Sequence, residues 1–542
     1  LKESNNIINM LKFFVSIQSD THTEMEIDIE NAILKHISNI PYFDTTGNYG
    51  MEKIPTDDLG RSIVWALKKG SSDKTIILLN HHDVVDVNDY GNLKNIAHDT
   101  ESIEKNLKNI KLSEEITTDL LSEEWIFGRG TADMKGGMCI QLKVLEDFSE
   151  DNKCDVNILF LSVPDEETLS VGMRHAGILL KNLEEKYHLK YSLIINSEPH
   201  SREDKNIPVI YEGSVGKTMI TVYVRGVKSH IGEIFNGFNP NLILSKIICN
   251  TEINSELCDR DLGEIAPPPS WSFARDFKEC YDASIPESAG GFLSFLTLTK
   301  TPKDILSIMK KICADSLLES MESYNKNADI FYGDSEHRCS FPINVKLYDE
   351  FLSDAIKNDK DKVENVLEKI YARISESIKD GKISMPESNF EIIKEIMNFT
   401  QYSGPTVVIA ISPPYYPHIS NDKFEHLDAK VREVSNSLNE INLLLYGSNI
   451  KKKHYFMGIS DLSYAALQNY EATVPYIKNN MPLWNYDLYS IPFETINSLS
   501  IPVVNIGPWG KDLHKFTERV YIKDLNTNTY TLINELIKKL FS

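Results

Sequence analysis

Residues of metal-ligating and proton-transferring type occur along this 542-residue chain in the order His81, Asp133, Glu166, Glu167, Glu198 and His514. Imidazole and carboxylate donors together suit zinc first, with cobalt and manganese as alternatives. In His81-His82-Asp83 the first and third residues face the same way if the segment is extended, so Asp83 can accept from one nitrogen of His81 while the other binds metal. His82 then points away, as a packing or surface residue. Asp133 sits in Gly128-Arg129-Gly130-Thr131-Ala132-Asp133-Met134-Lys135-Gly136-Gly137, where glycines let the backbone approach closely enough for a carboxylate to bridge two cations. Glu166 and Glu167 leave the backbone in different directions, so one can ligate while its neighbour stands over a water as general base. With Asp133, Glu167 and Glu198 as ligands, three negative charges meet the four positive ones of a divalent pair, and one positive charge is left for a bridging hydroxide.

Four of these sites follow apolar runs: Thr75 to Leu79, Val156 to Val163, Tyr191 to Ile195 and Pro502 to Ile506. Short, β-branched, nearly unbroken runs read as central strands covered on both faces. Beyond the carboxyl ends of such strands, residues distant in sequence converge on one crevice. The fold class expected is therefore α/β with a mostly parallel sheet. Helix patterns at Glu24 to Asn39, Met138 to Phe148 and Thr529 to Leu540 supply its covering layers, together with an amphipathic start bearing Ile7, Ile8, Leu11, Phe14 and Val15.

From Lys217 the pattern changes to strand 218–224, helix 241–250, strands 292–298 and 344–348, helix 360–378 and strand 406–412. This β-α-β-β-α-β order is the split unit whose two helices cover a four-stranded antiparallel sheet. It forms a second domain inserted into the first, closed by the prolines of Pro413-Pro414-Tyr415-Tyr416-Pro417. The division expected is residues 1–213 and 413–542 for one domain and 214–412 for the insertion. Segments 258–291 and 301–341 exceed what the simple unit needs.

A net charge of -22 argues against nucleic acid or anionic membrane as a partner. No apolar stretch reaches the roughly 18 residues of a membrane span. Seven scattered cysteines without a CxxC pair read as reduced thiols of a cytoplasmic protein. Gly213-Ser214-Val215-Gly216-Lys217-Thr218 imitates the end of a phosphate-binding loop, but Tyr211 stands where the first glycine belongs and a strand pattern follows where a helix is required. It reads instead as the hinge into the insertion.

The His-x-Asp-Val-Val, Gly-Arg-Gly-x-x-Asp-Met-Lys-Gly-Gly, Asp-Glu-Glu and Glu-Pro segments with the late histidine resemble the M20 family of metallopeptidases and amidohydrolases over nearly the whole chain. The resemblance implies a zinc-peptidase-like catalytic domain with a ferredoxin-like lid that also serves dimerisation. It implies His81 and Glu198 on one metal, Glu167 and His514 on the other, Asp133 bridging, and Glu166 as base. It also implies that His230, in Gly226-Val227-Lys228-Ser229-His230-Ile231-Gly232, steadies the oxyanion, often from the partner subunit of a homodimer. Asn239 and Arg275 are candidates for a substrate carboxylate. Asp89-Tyr90-Gly91-Asn92-Leu93, Arg275-Asp276-Phe277-Lys278, Pro413 to Pro417 and Ser460-Asp461-Leu462-Ser463-Tyr464 are similar to the arginine-utilisation, RocB-like branch. Asp86 departs from the proline common in the family. The function implied is hydrolysis of an amide bond in a small peptide or N-acyl amino acid. The rival is the same scaffold kept as a non-catalytic metal-binding or regulatory protein, which would be expected to lose the base or a ligand; none is missing.

Overall fold

The computed structural model of the protein describes residues 4–151, 154–485 and 487–541, with side chains from residue 7 onward. Two compact units emerge, one of Leu1–Ser214, Ile419–Gln468 and Pro492–Ser542, the other of Val215–His418 and Asn469–Ile491. The stretch Asn469–Ile491 thus belongs with the second unit, whereas the sequence pattern put it with the first. Its helix Tyr470–Asn480 packs on the long helices of that unit, where Asn480 accepts from the Asp349 amide.

The first unit is built on an eight-stranded mixed sheet in the order Tyr49–Lys53, Ser62–Lys68, Asn157–Val163, Lys74–His81, Lys190–Asn196, Val503–Asn505, Val209–Tyr211 and Lys451–Lys453. Its four central strands, from Asn157–Val163 to Val503–Asn505, run parallel. Ile76, Ile77, Leu78 and Leu79 are all sealed from solvent, so both faces of the sheet are covered. Ile76, Leu78, Ile158, Phe160, Leu193 and Ile195 share one core with the helices Ser4–Val15, Glu26–Ser38, Lys135–Glu150 and Thr529–Phe541. The first helix contributes Ile7, Leu11, Phe14 and Val15 to that core, as its amphipathic spacing requires. A separate three-stranded sheet of Gly510–Lys511, Arg519–Tyr521 and Trp125–Phe127 lies in the same unit and had no signal in the sequence pattern.

The second unit contains a five-stranded sheet in the order Ser270–Asp276, Ser288–Thr297, Gly216–Arg225, Thr406–Tyr416 and Asn344–Leu347. Three of its pairings are antiparallel and the last is parallel. The β-α-β-β-α-β core is present but enlarged, because the unassigned segments supply the edge strand Ser270–Asp276 and the helix Pro302–Tyr332. The prolines do not end the last strand. It continues to Tyr416 through a register shift between Ser412 and Tyr416, which accommodates residues without an N–H. The phosphate-loop imitation lies in strands, and a side chain at Gly216 would meet the His418 amide at 2.6 Å. All seven cysteines are free thiols, and among the described residues no helix is long and apolar enough to cross a membrane.

Candidate metal centre

Because the central strands are parallel, their carboxyl ends lie on one edge of the sheet, and the chemistry-bearing residues gather there. His81 is the last residue of its strand and only 1% exposed. Its Nδ1 donates to the Asp83 carbonyl at 3.1 Å and lies 3.4 Å from the Asp83 carboxylate. A carbonyl can only accept, so Nδ1 carries a proton and Nε2 is the nitrogen that faces the site. Nε2 stands 3.3 Å from Asp133 Oδ1, 3.4 Å from Glu198 Oε1 and 3.9 Å from Glu166 Oε2. His514, at the tip of the hairpin joining Gly510–Lys511 to Arg519–Tyr521, points Nε2 at Asp133 Oδ2 (3.3 Å) and Glu167 Oε2 (3.2 Å). The two oxygens of Asp133 therefore face two different histidines. His514 adopts a left-handed φ of +62°, an uncommon state for a side-chain-bearing residue that recurs at functional sites.

The supporting contacts are as ordered as the centre itself. Both Asp83 carboxylate oxygens accept backbone N–H bonds, from Glu166 and from Glu167, at 3.1 Å each. Asp83 thus aims the glutamate pair as well as standing behind His81. Asp165 accepts from Arg61 at 2.8 Å, from Thr168 at 2.7 Å and from the Val171 amide at 3.2 Å, and its own amide donates to Glu26 at 2.9 Å. Glu518 accepts from the Ala132 and Asp133 amides at 3.1 and 3.2 Å and from Arg129 at 2.8 Å, clamping the loop of Asp133 to the hairpin of His514. Arg129 extends the chain to Asp89 at 2.7 Å and donates to the Asp86 carbonyl. Asp86 itself closes a turn onto the Asn88 amide, so the departure from proline leaves a well-formed loop. Gly507 permits the closest approach: a Cβ there would sit 1.9 Å from the Glu198 carbonyl. His82 is a buried packing residue that meets Ser162 at 3.0 Å.

Metal fit follows from the donor set and its electrostatics. Ligand atoms of His81, Glu166 and Glu198, and of His81, Asp133 and Glu167, lie within 4.8 Å of one another in each group. These groups cut across the division implied by the family resemblance, yet each contains an imidazole and two carboxylates. Burial, with the Asp133 charge next, pushes Glu198 up to about 8 and Glu167 up to about 7. Burial likewise drives Glu166 well above the usual carboxylate range, and the Glu198 and Asp461 charges add to it while His81 opposes. Hydrogen bonds to Asp133 and Glu167 raise His514 to about 10. Burial would lower His81, but the Glu198 charge and the bonds to Asp133 and Asp83 carry it well above its ordinary value. A centre that retains protons so strongly has an excess of negative charge, which divalent cations would neutralise. Glu167 Oε1 is buried without a partner, another unsatisfied ligand-type atom at the centre.

The remaining expected residues belong to the second unit. His230 is exposed, and its Nδ1 accepts from the Gly232 amide at 3.1 Å, leaving Nε2 as the potential donor. Asn239 caps the helix Pro240–Thr251 by accepting from the Asn241 amide at 3.0 Å. Arg275 lies on the edge strand, where it donates to the Asp276 carbonyl and lines a small cavity with Phe273, Phe277 and Phe390.

The model of the peptidase family M20/M25/M40 matches residues 111–484. The uncharacterized protein YqjN of Bacillus subtilis (strain 168) is 31% identical, over 96% of this chain and 93% of its own length. Protein RocB of the same organism is 29% identical, over 94% and 90% respectively. A crystal structure of the Bacillus subtilis YXEP protein, described as a dinuclear metal binding peptidase from the M20 family, superposes with a TM-score of 0.51 at 12% identity, covering 100% of this chain and 99% of that one.

Proposed function

This chain belongs to the peptidase family M20/M25/M40, and from that premise we propose that it hydrolyses an amide bond of a small peptide or N-acyl amino acid at a two-metal centre. In this reading Asp133 would be shared between the two cations, with His81 and Glu198 to hold one and Glu167 and His514 to hold the other. The observation that carries it is the two-sided disposition of Asp133, with one oxygen toward each histidine. When bound, two divalent ions would supply the charge that makes a water acidic and polarises the scissile carbonyl. Zinc is the metal proposed first, on its preference for mixed imidazole and carboxylate donors.

The chain's own residues account for the proton and its path. Glu166 accepts the proton from the attacking water and returns it to the departing nitrogen, while the water oxygen forms the new bond to the carbonyl carbon. Asp83 keeps the glutamate pair aimed by holding both backbone amides. His230 Nε2–H is assigned to the developing oxyanion, from its own chain or from the partner of a homodimer formed through the second unit. The test is a screen of dipeptides and N-acyl amino acids, arginine- and ornithine-containing ones included, with zinc, cobalt or manganese supplied. Turnover that requires metal and disappears in Glu166→Gln supports the reading; metal-independent turnover, or none with any amide, opposes it.

A further inference from the structure

The loops of His81, of Asp133 and of the glutamate pair are all tied to one stretch of chain that supplies none of the proposed ligands. Residues 16–25 connect the helix Ser4–Val15 to the helix Glu26–Ser38. Lys135, two positions after Asp133, is fully buried and donates to the carbonyls of Phe14 and Ile17 at 3.2 and 2.7 Å, where the first helix ends. Ser19, equally buried, donates through its hydroxyl to the His82 carbonyl at 2.8 Å. The Ser19 carbonyl accepts from the Val84 amide at 2.9 Å, and the Thr21 amide donates to the Val84 carbonyl at 2.8 Å, so this stretch runs alongside the segment that follows His81. At the glutamate turn, the buried carboxylate of Glu26 accepts from the His22 and Asp165 amides, each at 2.9 Å.

Each joint meets a physical demand on both sides. A buried ammonium is costly unless acceptors replace its water, and the last carbonyls of a helix lack partners and lie at the negative end of its dipole. Lys135 and the end of the first helix therefore satisfy each other. The Lys135 stem passes Gly130, where a Cβ would sit 3.4 Å from that stem and 2.6 Å from Val84, so the Asp133 loop and the His81 loop also meet beside the same stretch. Reacting groups tolerate little displacement, and a misplacement of about 1 Å can cost about a hundredfold in rate. Groups that orient ligands are worth about 10- to 100-fold in metal affinity or activity.

We infer that residues 16–25 form a strap that sets the positions of the ligand loops, with Lys135 and Ser19 as positioning residues for Asp133 and His81. This rests on the two-metal reading and adds to it the part that holds the ligands in register. Titration of the metal-free protein with cobalt chloride, followed by visible absorption, reads coordination without turnover. Lys135→Met keeps the bulk of the stem and loses the ammonium, and Ser19→Ala loses the hydroxyl alone. Each is expected to weaken cobalt binding about tenfold or more, and to lower kcat at saturating metal by a similar factor. Leu11→Ala, in the buried core of the same first helix, opens a cavity and should lower the urea midpoint of unfolding while cobalt affinity stays unchanged. Cobalt affinity unmoved in either strap variant, or lowered equally by Leu11→Ala, would overturn the strap. Should Lys135→Met fail to fold, Ser19→Ala decides alone. Wild-type protein that takes up no cobalt would remove the metal reading and the strap together. Cobalt binding that depends on the strap, in a protein that hydrolyses no amide, would keep the strap and remove the hydrolase reading.

Discussion

Glu166 and Glu167 are adjacent and chemically identical, yet their surroundings separate them. Glu167 is directed at His514 at 3.2 Å, whereas Glu166 stays 3.9 Å from the nearest imidazole and is the freer to handle a proton. Glu166→Gln should therefore keep its metals and fold and lose about a hundredfold or more in kcat, measured beside metal content. Unchanged turnover, or loss of metal, would contradict the role. His230→Ala should lower kcat by about a hundredfold with metal content intact, because an oxyanion donor acts on charge that develops in the transition state. A change confined to KM would instead mark a ground-state contact. His81, Asp133, Glu167 and Glu198 were legible in the sequence because each sits in a short motif of distinctive composition, and His514 because it follows the apolar run Pro502 to Ile506. Glu518 and Arg61 were not: Glu518 meets Arg129 across 389 positions and Arg61 meets Asp165 across 104, and neither separation leaves a local pattern. Asn239 was legible as a residue but not in its capping contact, since the same Asn-Pro pair suits a ligand and a helix start.

At the scale of elements, parallel strands explain why residues hundreds of positions apart share one edge, and unbroken apolar runs made those strands readable. Elements without such runs escaped. The edge strand Ser270–Asp276 alternates between half-buried and exposed residues and carries serine, arginine and aspartate, so its pairing, not its composition, makes it a strand. The hairpin that carries His514 is held by Arg519, which bonds Asp512 and Asp119 from a fully buried position, and such a contact is fixed by tertiary structure alone. Arg61 plays the corresponding part beneath the glutamate turn, paired with Glu26, Asp57 and Asp165 while 1% exposed. Replacing it by leucine would strand buried carboxylates and should destabilise the protein by about 3–5 kcal/mol in urea unfolding. A loss within a few tenths of a kcal/mol would show that those acids are protonated or solvated instead.

For the whole molecule, the centre couples metal, protons and stability. In the metal-free chain Glu167, Glu198 and His514 titrate near 7, 8 and 10. All three lie above their unfolded values of about 4.3 for glutamate and 6.5 for histidine. Groups raised in this way stabilise the fold fully below the unfolded pKa and lose that contribution as pH climbs through the folded one. Metal-free protein should therefore melt at progressively lower temperature from about pH 5 to about pH 10, and zinc should restore the loss by taking the place of the protons. A flat profile, or one indifferent to zinc, would contradict this coupling. If a homodimer shares His230 across subunits, mixing His230→Ala with Glu166→Gln chains should recover part of the activity, and no recovery despite subunit exchange would assign each lid to its own chain. The central claim is a pair of cations bridged by Asp133, and the most direct measurement is the metal content of protein saturated with zinc and freed of excess. Two zinc ions per chain are predicted; a single ion at saturation would contradict the account.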